Sequence, residues 1–226
     1  MIALLDPPVI TIDGPSGSGK GTIARKVANA LDFHLLDSGA LYRLVAIAAK
    51  KNGIALTDCD ALALLARDLD IRFDSNNKLS EKVFMDDIDV TLEVRKESTG
   101  AQASVVAGLT EVRLALLGRQ RAFQVPPGLV ADGRDMGTNV FPSAAIKVFL
   151  TAGAEVRAKR RHKQLKDQGV DVNLAALSRD IKGRDERDSS RLVAPLKPAK
   201  NARILDSSEL SIETVTNTVL EWVAEL

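Results

Sequence analysis

Residues 11–26 read TIDGPSGSGKGTIARK, and this stretch decides the fold. A short apolar run precedes the glycines, and a helix-like pattern of apolar residues follows them. A strand, a glycine-rich loop and a helix in this order are typical of a phosphate-binding loop, where backbone N–H groups converge on phosphate oxygens and side chains must be absent. The spacing Gly14-x4-Gly19-Lys20 matches that loop, whose lysine reaches the β- and γ-phosphates of a nucleoside triphosphate.

The residue after the lysine narrows the match. It is Gly21 where Ser or Thr is usual, and Thr22 follows one place later. This G-x-x-G-x-G-K-G-T variant is typical of nucleoside monophosphate kinases. A glycine-rich turn without a ligand is the alternative, and the flanking strand and helix argue against it. The residues predicted to bind ATP in this loop are Gly14, Pro15, Ser16, Gly17, Ser18, Gly19, Lys20, Gly21 and Thr22.

The composition limits the classes of function. The chain has 226 residues, 45% of them apolar, and a net charge of +1, which argues against a general nucleic-acid or membrane binder. One cysteine and two histidines exclude an intrachain disulfide framework and a structural zinc site. The start has no basic segment of a signal peptide, and no run approaches the length of a membrane span. We therefore expect a cytoplasmic protein.

Five short apolar runs alternate with helix-like patterns along the chain. They read VITID, FHLLD, LVAD, IKVFL and ARILD, and they predict an α/β fold with a five-stranded parallel sheet covered by helices on both faces. Ligands of such sheets lie beyond the carboxyl ends of the strands, where strand-end aspartates would form one polar rim. The alternative is that each aspartate caps the helix that follows it, and this alternative is favoured for Asp206. The four aspartates are Asp13, Asp37, Asp132 and Asp206.

The stretch 54–104 interrupts this alternation. It contains one helix-like piece, two short strand-like pieces and a crowding of aspartates at 86–89. We therefore predict a core domain at 1–53 and 105–226 and an inserted lobe at 54–104.

Arginines near turns and strand ends indicate phosphoryl transfer to a second anion. A transferase must hold two anionic substrates and stabilise the charge that spreads over the moving phosphoryl group, and planar guanidinium groups do this best. The spacing of Arg184, Asp188 and Arg191 places them on one face of a predicted helix. A solvated face of salt bridges is the alternative, which the phosphate loop disfavours. The candidate arginines are Arg43, Arg113, Arg134, Arg184, Arg187 and Arg191.

The densest basic cluster reads RAKRRHKQLK, at residues 157–166. A mobile lid over ATP, at about 154–191, and a plain solvated surface both fit this pattern. We predict that Arg160 contacts ATP. A nucleic-acid patch is disfavoured because the net charge is near zero and no aromatic residues are interleaved.

Four collinear motifs extend the match from Val9 to the end of the chain. ITIDGPSGSGKGT, LLDSGALYR, ADGRDMGT and RDERDSSR together closely resemble the bacterial cytidylate kinases. The resemblance implies a five-stranded core with an inserted nucleoside-monophosphate-binding lobe and a short lid, usually in a monomer. It also implies transfer of a phosphoryl group from ATP to CMP or dCMP with Mg²⁺, in pyrimidine nucleotide metabolism.

The same resemblance assigns roles to individual residues. It places Ser104, Arg113 and Asp135 at the cytosine ring. A carboxylate suits this place because it accepts a hydrogen bond from the exocyclic amine of cytosine, which uracil replaces with a carbonyl. The other residues assigned to CMP are Ser38, Tyr42, Arg43, Arg134, Arg184 and Asp188. The residues assigned to catalysis are Lys20, Arg134, Arg184, Asp188 and Arg191.

The metal position is less specific. Asp132 is positioned like the acidic residue that helps to hold Mg²⁺ in other phosphate-loop proteins, and Thr22 is its predicted companion. Orientation of Ser38 or Arg134 is an equal alternative for Asp132.

The sequence leaves three other functions open. They are another small-molecule kinase of the uridylate or shikimate type, a regulator that binds ATP without turnover, and a nucleic-acid-binding ATPase.

Overall fold

A computed structural model describes residues 6–74, 82–167 and 169–225 of the chain. Residues 1–5, which belong to the segment that lacks the basic residues of a signal peptide, lie outside the described residues. Two compact units divide the chain. The core unit extends to Asp37 and resumes at Arg121, and the insert unit is Ser38–Gln120. The lobe predicted at 54–104 falls within the insert unit, which also includes the helix that starts at Ser38.

The elements follow one another in this order. The core unit begins with β1 (Val9–Asp13), α1 (Lys20–Leu31) and β2 (His34–Asp37). The insert unit contains α2 (Ser38–Lys51), α3 (Cys59–Asp68), β3 (Ile71–Asp74), β4 (Lys82–Met85), β5 (Ile88–Asp89), α4 (Thr91–Arg95), α5 (Glu97–Val106) and α6 (Thr110–Arg121), whose last residue begins the second part of the core unit. That part continues with β6 (Leu129–Gly133), a π-helical turn (Met136–Val140), β7 (Ile146–Thr151), α7 (Ala154–Asp167), α8 (Leu174–Ser190), β8 (Arg203–Asp206) and α9 (Ile212–Ala224).

The core unit is built on the predicted five-stranded parallel sheet, in the order β2-β6-β1-β7-β8. The five apolar runs of the sequence are its five strands, and the α/β prediction is confirmed. Strands β1 and β6 are buried along their whole length because helices cover both faces, which explains their continuous apolar sequences. Residues of α1 and α9, such as Val27 and Val219, pack with Ile12 and Leu150 of the sheet in one cluster.

The register of the sheet brings the strand-end aspartates to one edge. Asp13 of β1 pairs with Gly133 of β6, and Asp37 of β2 pairs with Asp132 of β6. The predicted polar rim is therefore present for three of its four aspartates, Asp13, Asp37 and Asp132. It is the part of the core unit on which the candidate site is built. Asp206 accepts the N–H of Ser208, and the helix-capping alternative favoured for it is wrong, because Ser211 caps α9.

The insert unit combines a buried helix with a small antiparallel sheet, in the order β3-β4-β5. Helix α2 is buried on nearly every face, in accordance with its Ala, Leu, Val and Ile residues. The sequence predicted one helix and two strands within 54–104. The structure adds β5, α4 and α5 to them.

Candidate active site

The glycine loop joins β1 to α1, and three of its glycines are required by its geometry. A Cβ at Gly14 would lie 2.0 Å from the carbonyl oxygen of Leu150, so only glycine permits this approach to β7. Gly17 and Gly19 have φ angles of 78° and 92°, in the left-handed region that favours glycine. Gly19 precedes α1 and has no side chain to cap it, so the first N–H groups of the helix suit an oxyanion.

Lys20 and Asp132 place opposite charges beside this loop. The Lys20 ammonium donates to the carbonyl of Pro15 at 3.3 Å. Burial lowers the pKa of Lys20, and the nearby charge of Arg134 lowers it further, while Asp132 opposes this shift. Burial raises the pKa of Asp132, and the neighbouring carboxylate of Asp37 adds to that shift. Each charge is poorly solvated, and a bound polyanion and its cation would stabilise both.

Arg157 holds the glycine loop from α7. Its Nη1 donates to the carbonyl of Ser16 at 2.9 Å, and its Nε donates to the carbonyl of Ala152 at 2.8 Å. Both Nη atoms also bind the carboxylate of Asp185 in α8, at 3.1 and 2.5 Å. The side chain is only 5% exposed, so the interpretation of this residue as solvated surface is wrong. Arg157 connects α8, through Asp185, to the phosphate loop.

Ser207 holds the same loop from the end of β8. Its hydroxyl lies 3.2 Å from the carbonyl oxygen of Ser18 and 3.1 Å from that of Thr151. Arg160 donates to the Ser207 hydroxyl at 3.1 Å and to the Ser207 carbonyl at 2.5 Å. Arg160, predicted to contact ATP, is therefore connected to the loop through Ser207.

The arginines assigned to catalysis lie around the carboxylate of Asp188. Its carboxylate accepts from Nε of Arg134 at 2.9 Å and from Nη2 of Arg191 at 2.6 Å, and Nε of Arg184 lies 4.0 Å away. The Asp188 side chain is 1% exposed, so the alternative of a solvated salt-bridge face is wrong. Although burial alone would raise the pKa of Asp188, the charges of Arg134, Arg191 and Arg184 hold it below its usual range.

The charge of this cluster suits a polyanion. Three guanidinium groups lie around the one carboxylate of Asp188, within 4.0 Å of it. The cluster also reaches the glycine loop, because Nη1 of Arg184 donates to the hydroxyl of Ser16 at 3.3 Å. Charge-assisted pairs of this kind fix the guanidinium planes before substrate arrives.

One detail of the prediction is wrong: Arg191 is not part of the helix. Helix α8 ends at Ser190, and Arg191 is its extended C-cap residue, with φ −57° and ψ 135°. The chain turns back there, since the N–H of Leu196 donates to the carbonyl of Asp188 at 2.8 Å. Arg191 nevertheless reaches Asp188, three residues earlier.

Asp135 precedes the π-helical turn and is 2% exposed. Its carboxylate accepts from Nδ2 of Asn139 at 3.2 Å. The first N–H groups of the turn are bound by another residue: Asp13 accepts from Met136 N and Gly137 N, both at 2.8 Å. Burial raises the pKa of Asp13 to about 6 despite these two hydrogen bonds.

Two of the insert-unit residues predicted to bind the acceptor, Arg43 and Arg113, donate to main-chain carbonyls. Nη1 of Arg43 donates to the carbonyls of Val94 at 2.8 Å and Lys96 at 3.0 Å. Arg113 donates to the carbonyl of Ala107 at 3.0 Å, and its guanidinium lies 5.6 Å from the centre of the Tyr42 ring. The remaining members, Ser38, Tyr42 and Ser104, are buried.

Asp132, one of the two residues predicted to hold Mg²⁺, fits that ion. Asp132 is buried beside Asp37, which raises the pKa of Asp132, so a cation would offset two crowded negative charges. Within the described ranges no group of three or more His, Cys, Asp or Glu residues could hold a metal by itself. Mg²⁺ does not need such a group, because it keeps several waters and binds substrate phosphates through one or two carboxylates.

Three residues that hold the loop were missed from the sequence: Arg157, Asp185 and Ser207. Arg157 belonged to a visible basic cluster, but nothing in that cluster distinguished it from its neighbours. Ser207 follows a strand-end aspartate, which is a usable signal for a loop contact. The pairing of Arg157 with Asp185 joins two helices, and no local pattern indicates it.

A parallel sheet with a glycine loop, a loop lysine and a guanidinium cluster defines a P-loop phosphotransferase. The model of the cytidylate kinase family matches residues 10–225. The chain belongs to the cytidylate kinase family. It is 57% identical to a cytidylate kinase of Azotobacter vinelandii, over 96% of both chains. It is 58% identical to one of Pseudomonas syringae pv. tomato, over 96% of this chain and 95% of the relative.

Solved structures of lower identity share the fold alone. A gluconokinase from Sinorhizobium meliloti superposes with a TM-score of 0.50 at 18% identity, over 97% of this chain and 93% of that one. An uncharacterized protein from Eubacterium ventriosum superposes with a TM-score of 0.53 at 13% identity, over 97% and 99% of the two chains. Separately, the described part of the chain contains no helix that combines the length and apolarity needed to cross a membrane.

Proposed function

We propose that this kinase transfers the γ-phosphoryl group of ATP directly to the 5′-phosphate of CMP or dCMP, with the residue roles given below. The observation that carries the proposal is the Asp188 cluster of Arg134, Arg184 and Arg191, joined to the glycine loop through Ser16. A donor loop connected to three guanidinium groups that one carboxylate orients suits in-line transfer between two phosphates. No covalent intermediate on the enzyme is needed.

The donor is bound by the glycine loop. The N–H groups of residues 14–22 and the Lys20 ammonium bind the phosphates of ATP, and Arg160 contacts the nucleotide from α7. Thr22 and Asp132 would hold Mg²⁺, which would supply positive charge to neutralise the phosphates. Arg157, which Asp185 binds and orients, donates to the Ser16 carbonyl and so keeps it turned away from the phosphates.

The arginines stabilise the transferring group. Arg134 and Arg191 are fixed by Asp188, so their orientation costs little when the charge spreads in the transition state. Arg184 lies between Asp188 and Ser16 and completes the set. Asp188 acts by orienting these guanidinium groups.

Recognition of the acceptor depends on one carboxylate in the core unit. Asp135 accepts a hydrogen bond from the exocyclic amine of cytosine. Uracil would place a carbonyl oxygen against the buried carboxylate, so that two acceptors would face each other. The other residues with predicted roles toward CMP are Ser38, Tyr42, Arg43, Ser104, Arg113, Arg134, Arg184 and Asp188. The monomeric state, the cytoplasmic location and the lack of a nucleic-acid partner stay predictions.

The test is ADP production from ATP with CMP, dCMP, UMP and AMP in turn. We expect turnover with CMP or dCMP to exceed that with UMP and AMP. Asp135→Ala should lower kcat/KM for CMP much more than for UMP, while the KM for ATP stays unchanged as the internal control. Equal losses for CMP and UMP would refute the base recognition by Asp135, and tight ATP binding without ADP formation would refute the kinase.

A further inference from the structure

Asp13 binds a turn that is distant in sequence. It ends β1, immediately before the first glycine of the phosphate loop, and it is 3% exposed. Each of its carboxylate oxygens accepts one main-chain N–H of the turn at Met136–Val140, from Met136 and Gly137 at 2.8 Å. Two charge-assisted hydrogen bonds in a buried place fix the start of this turn tightly.

The arrangement changes what Asp135 can do. An aspartate that precedes a helical turn ordinarily caps that turn with its own carboxylate. Asp135 stands at this position, but its φ and ψ angles are −145° and 22°, and it makes no such cap in the described structure. Asp13 binds the N–H groups in its place. The Asp135 carboxylate is thereby directed to other partners, of which Asn139 is one.

Gly137 permits the close approach that this exchange requires. A Cβ at position 137 would lie 2.9 Å from Oγ1 of Thr11, which belongs to the same strand as Asp13. The side chain of Ala199 and that of Lys147 would each lie 3.3 Å away. An alanine would therefore push the turn off β1 and lengthen the hydrogen bonds to Asp13.

We propose that Asp13 is a positioning residue for the acceptor base: by capping the turn in place of Asp135, it sets the Asp135 carboxylate for the amine of cytosine. This inference rests on the proposed role of Asp135. Strand β1 would then lead into the donor loop at Gly14 and would also, through Asp13, position the Asp135 carboxylate that selects the acceptor. Asp13 itself contacts no substrate in this proposal.

The test uses Asp13→Asn, which keeps the shape but exchanges one acceptor oxygen for a donor. We expect the CMP-to-UMP ratio of kcat/KM to fall about tenfold or more, as one charge-assisted hydrogen bond is lost. The KM for ATP should change far less. Asp206→Asn is the matched control, because Asp206 also ends a strand and accepts a main-chain N–H, from Ser208 at 2.8 Å, but on an exposed loop. Its CMP-to-UMP ratio should stay unchanged.

A double substitution separates this proposal from the one on which it rests. In an Asp135→Ala background, Asp13→Asn should lower the ratio no further, because its effect passes through Asp135. If Asp135→Ala lowers the ratio and Asp13→Asn does not, the positioning role is overturned and the base recognition stands. If Asp135→Ala has no effect on the ratio, both proposals are overturned.

Two further outcomes are decisive. A rise of the ATP and CMP KM values by the same factor would mean general distortion and would overturn the positioning role. Should Asp13→Asn fail to fold, Gly137→Ala carries the same test with the carboxylate in place, and the same loss of selectivity is expected.

Discussion

The arginines named here from the two units bind different groups, carboxylates in the core unit and main-chain carbonyls in the insert unit. In the core unit, Arg134 and Arg191 bind the carboxylate of Asp188, and Arg157 binds that of Asp185, all in largely buried places. In the insert unit, Arg43 and Arg113 donate to main-chain carbonyls.

This difference predicts how a substitution in each unit should change stability and activity. Removal of one member of a buried ion pair leaves an uncompensated charge, which destabilises the fold. The carbonyls that Arg43 and Arg113 bind are neutral dipoles, so the loss of these hydrogen bonds costs less than the loss of a buried counter-charge. We therefore expect core-unit substitutions to change stability and turnover, and insert-unit substitutions to act chiefly on the acceptor.

Arg191→Ala should give the largest change, and it tests the core-unit side of this comparison. We expect kcat to fall about 10²–10³-fold, as when a preorganised donor to developing charge is removed from an enzyme. The KM for ATP should change little, because Lys20 and the loop N–H groups still bind the phosphates. Steady-state kinetics with CMP measures both quantities.

The control is Arg203→Ala, which removes a surface pair with Glu225 at 2.6 Å, in which both side chains are well exposed. It should leave turnover as it is. Unchanged turnover in Arg191→Ala would remove this arginine from the catalytic set.

The pH dependence of stability should reveal the buried carboxylate of Asp13 in the core unit. Burial raises the pKa of Asp13 from 3.8 to about 6, with Met136 N, Gly137 N and Arg134 opposing the shift and Asp135 adding to it. The native state thus binds this proton more tightly than the unfolded chain. The contribution is fully present below pH 3.8 and is lost as the pH rises through 6, in total about 3 kcal/mol.

Urea unfolding at several values between pH 4 and 7 measures this contribution. As the pH rises, the unfolding free energy of the parent protein should fall relative to that of Asp13→Asn. A difference that is flat across this range would show that Asp13 titrates normally.

The sheet of the core unit was predictable because each strand is a short apolar run between helix patterns. Helices α4 and α5 of the insert unit were not predicted, for physical reasons. Helix α4 has only five residues, and α5 contains Thr99 and Gly100, which have low helix propensity. Packing within the unit stabilises them, and no local pattern reports that packing.

The candidate site divides in the same way. The glycine loop and the grouping of Arg184, Asp188 and Arg191 were predicted because their residues lie close together in sequence, whereas the hydrogen bond from Arg134 to Asp188 spans 54 residues and was not predicted. The hydrogen bond from Met136 to Asp13 spans 123 residues, and the pair of Arg157 and Asp185 spans 28. Such contacts depend on the arrangement of whole elements, so no single stretch of sequence indicates them.

Asp185→Asn should destabilise the core unit while Asp68→Asn leaves the insert unit as it is. The first change leaves the buried guanidinium of Arg157 without a negative counter-charge, because an amide oxygen accepts a hydrogen bond but is neutral. We expect a loss of about 2 kcal/mol, since Asp185 is partly exposed. The pair of Asp68 with Arg67 is exposed on both sides, so its loss should not change the melting temperature.

Thermal unfolding of both variants measures this contrast, and the KM for ATP should rise only in Asp185→Asn. If both variants melt like the parent protein, the Arg157 pair does not stabilise the core unit. The comparison between buried and exposed pairs would then fail.

Two helix-interior glycines of the insert unit give the smallest and most selective test. A Cβ at Gly118 would meet no described atom within 4 Å, so Gly118→Ala should stabilise the protein by about 0.5–1 kcal/mol without changing the kinetics. A Cβ at Gly100 would lie 2.7 Å from Nη2 of Arg43 and would displace that guanidinium from the Val94 and Lys96 carbonyls.

Gly100→Ala should therefore gain less stability than Gly118→Ala and should raise the KM for CMP, with the KM for ATP unchanged. Denaturant unfolding and kinetics on the two variants measure these differences side by side. An equal gain of stability with an unchanged CMP KM in both variants would mean that the position of Arg43 does not matter to the acceptor. Arg43 would then be removed from the residues assigned to CMP, while Ser38, Tyr42, Ser104 and Arg113 would keep their predicted roles.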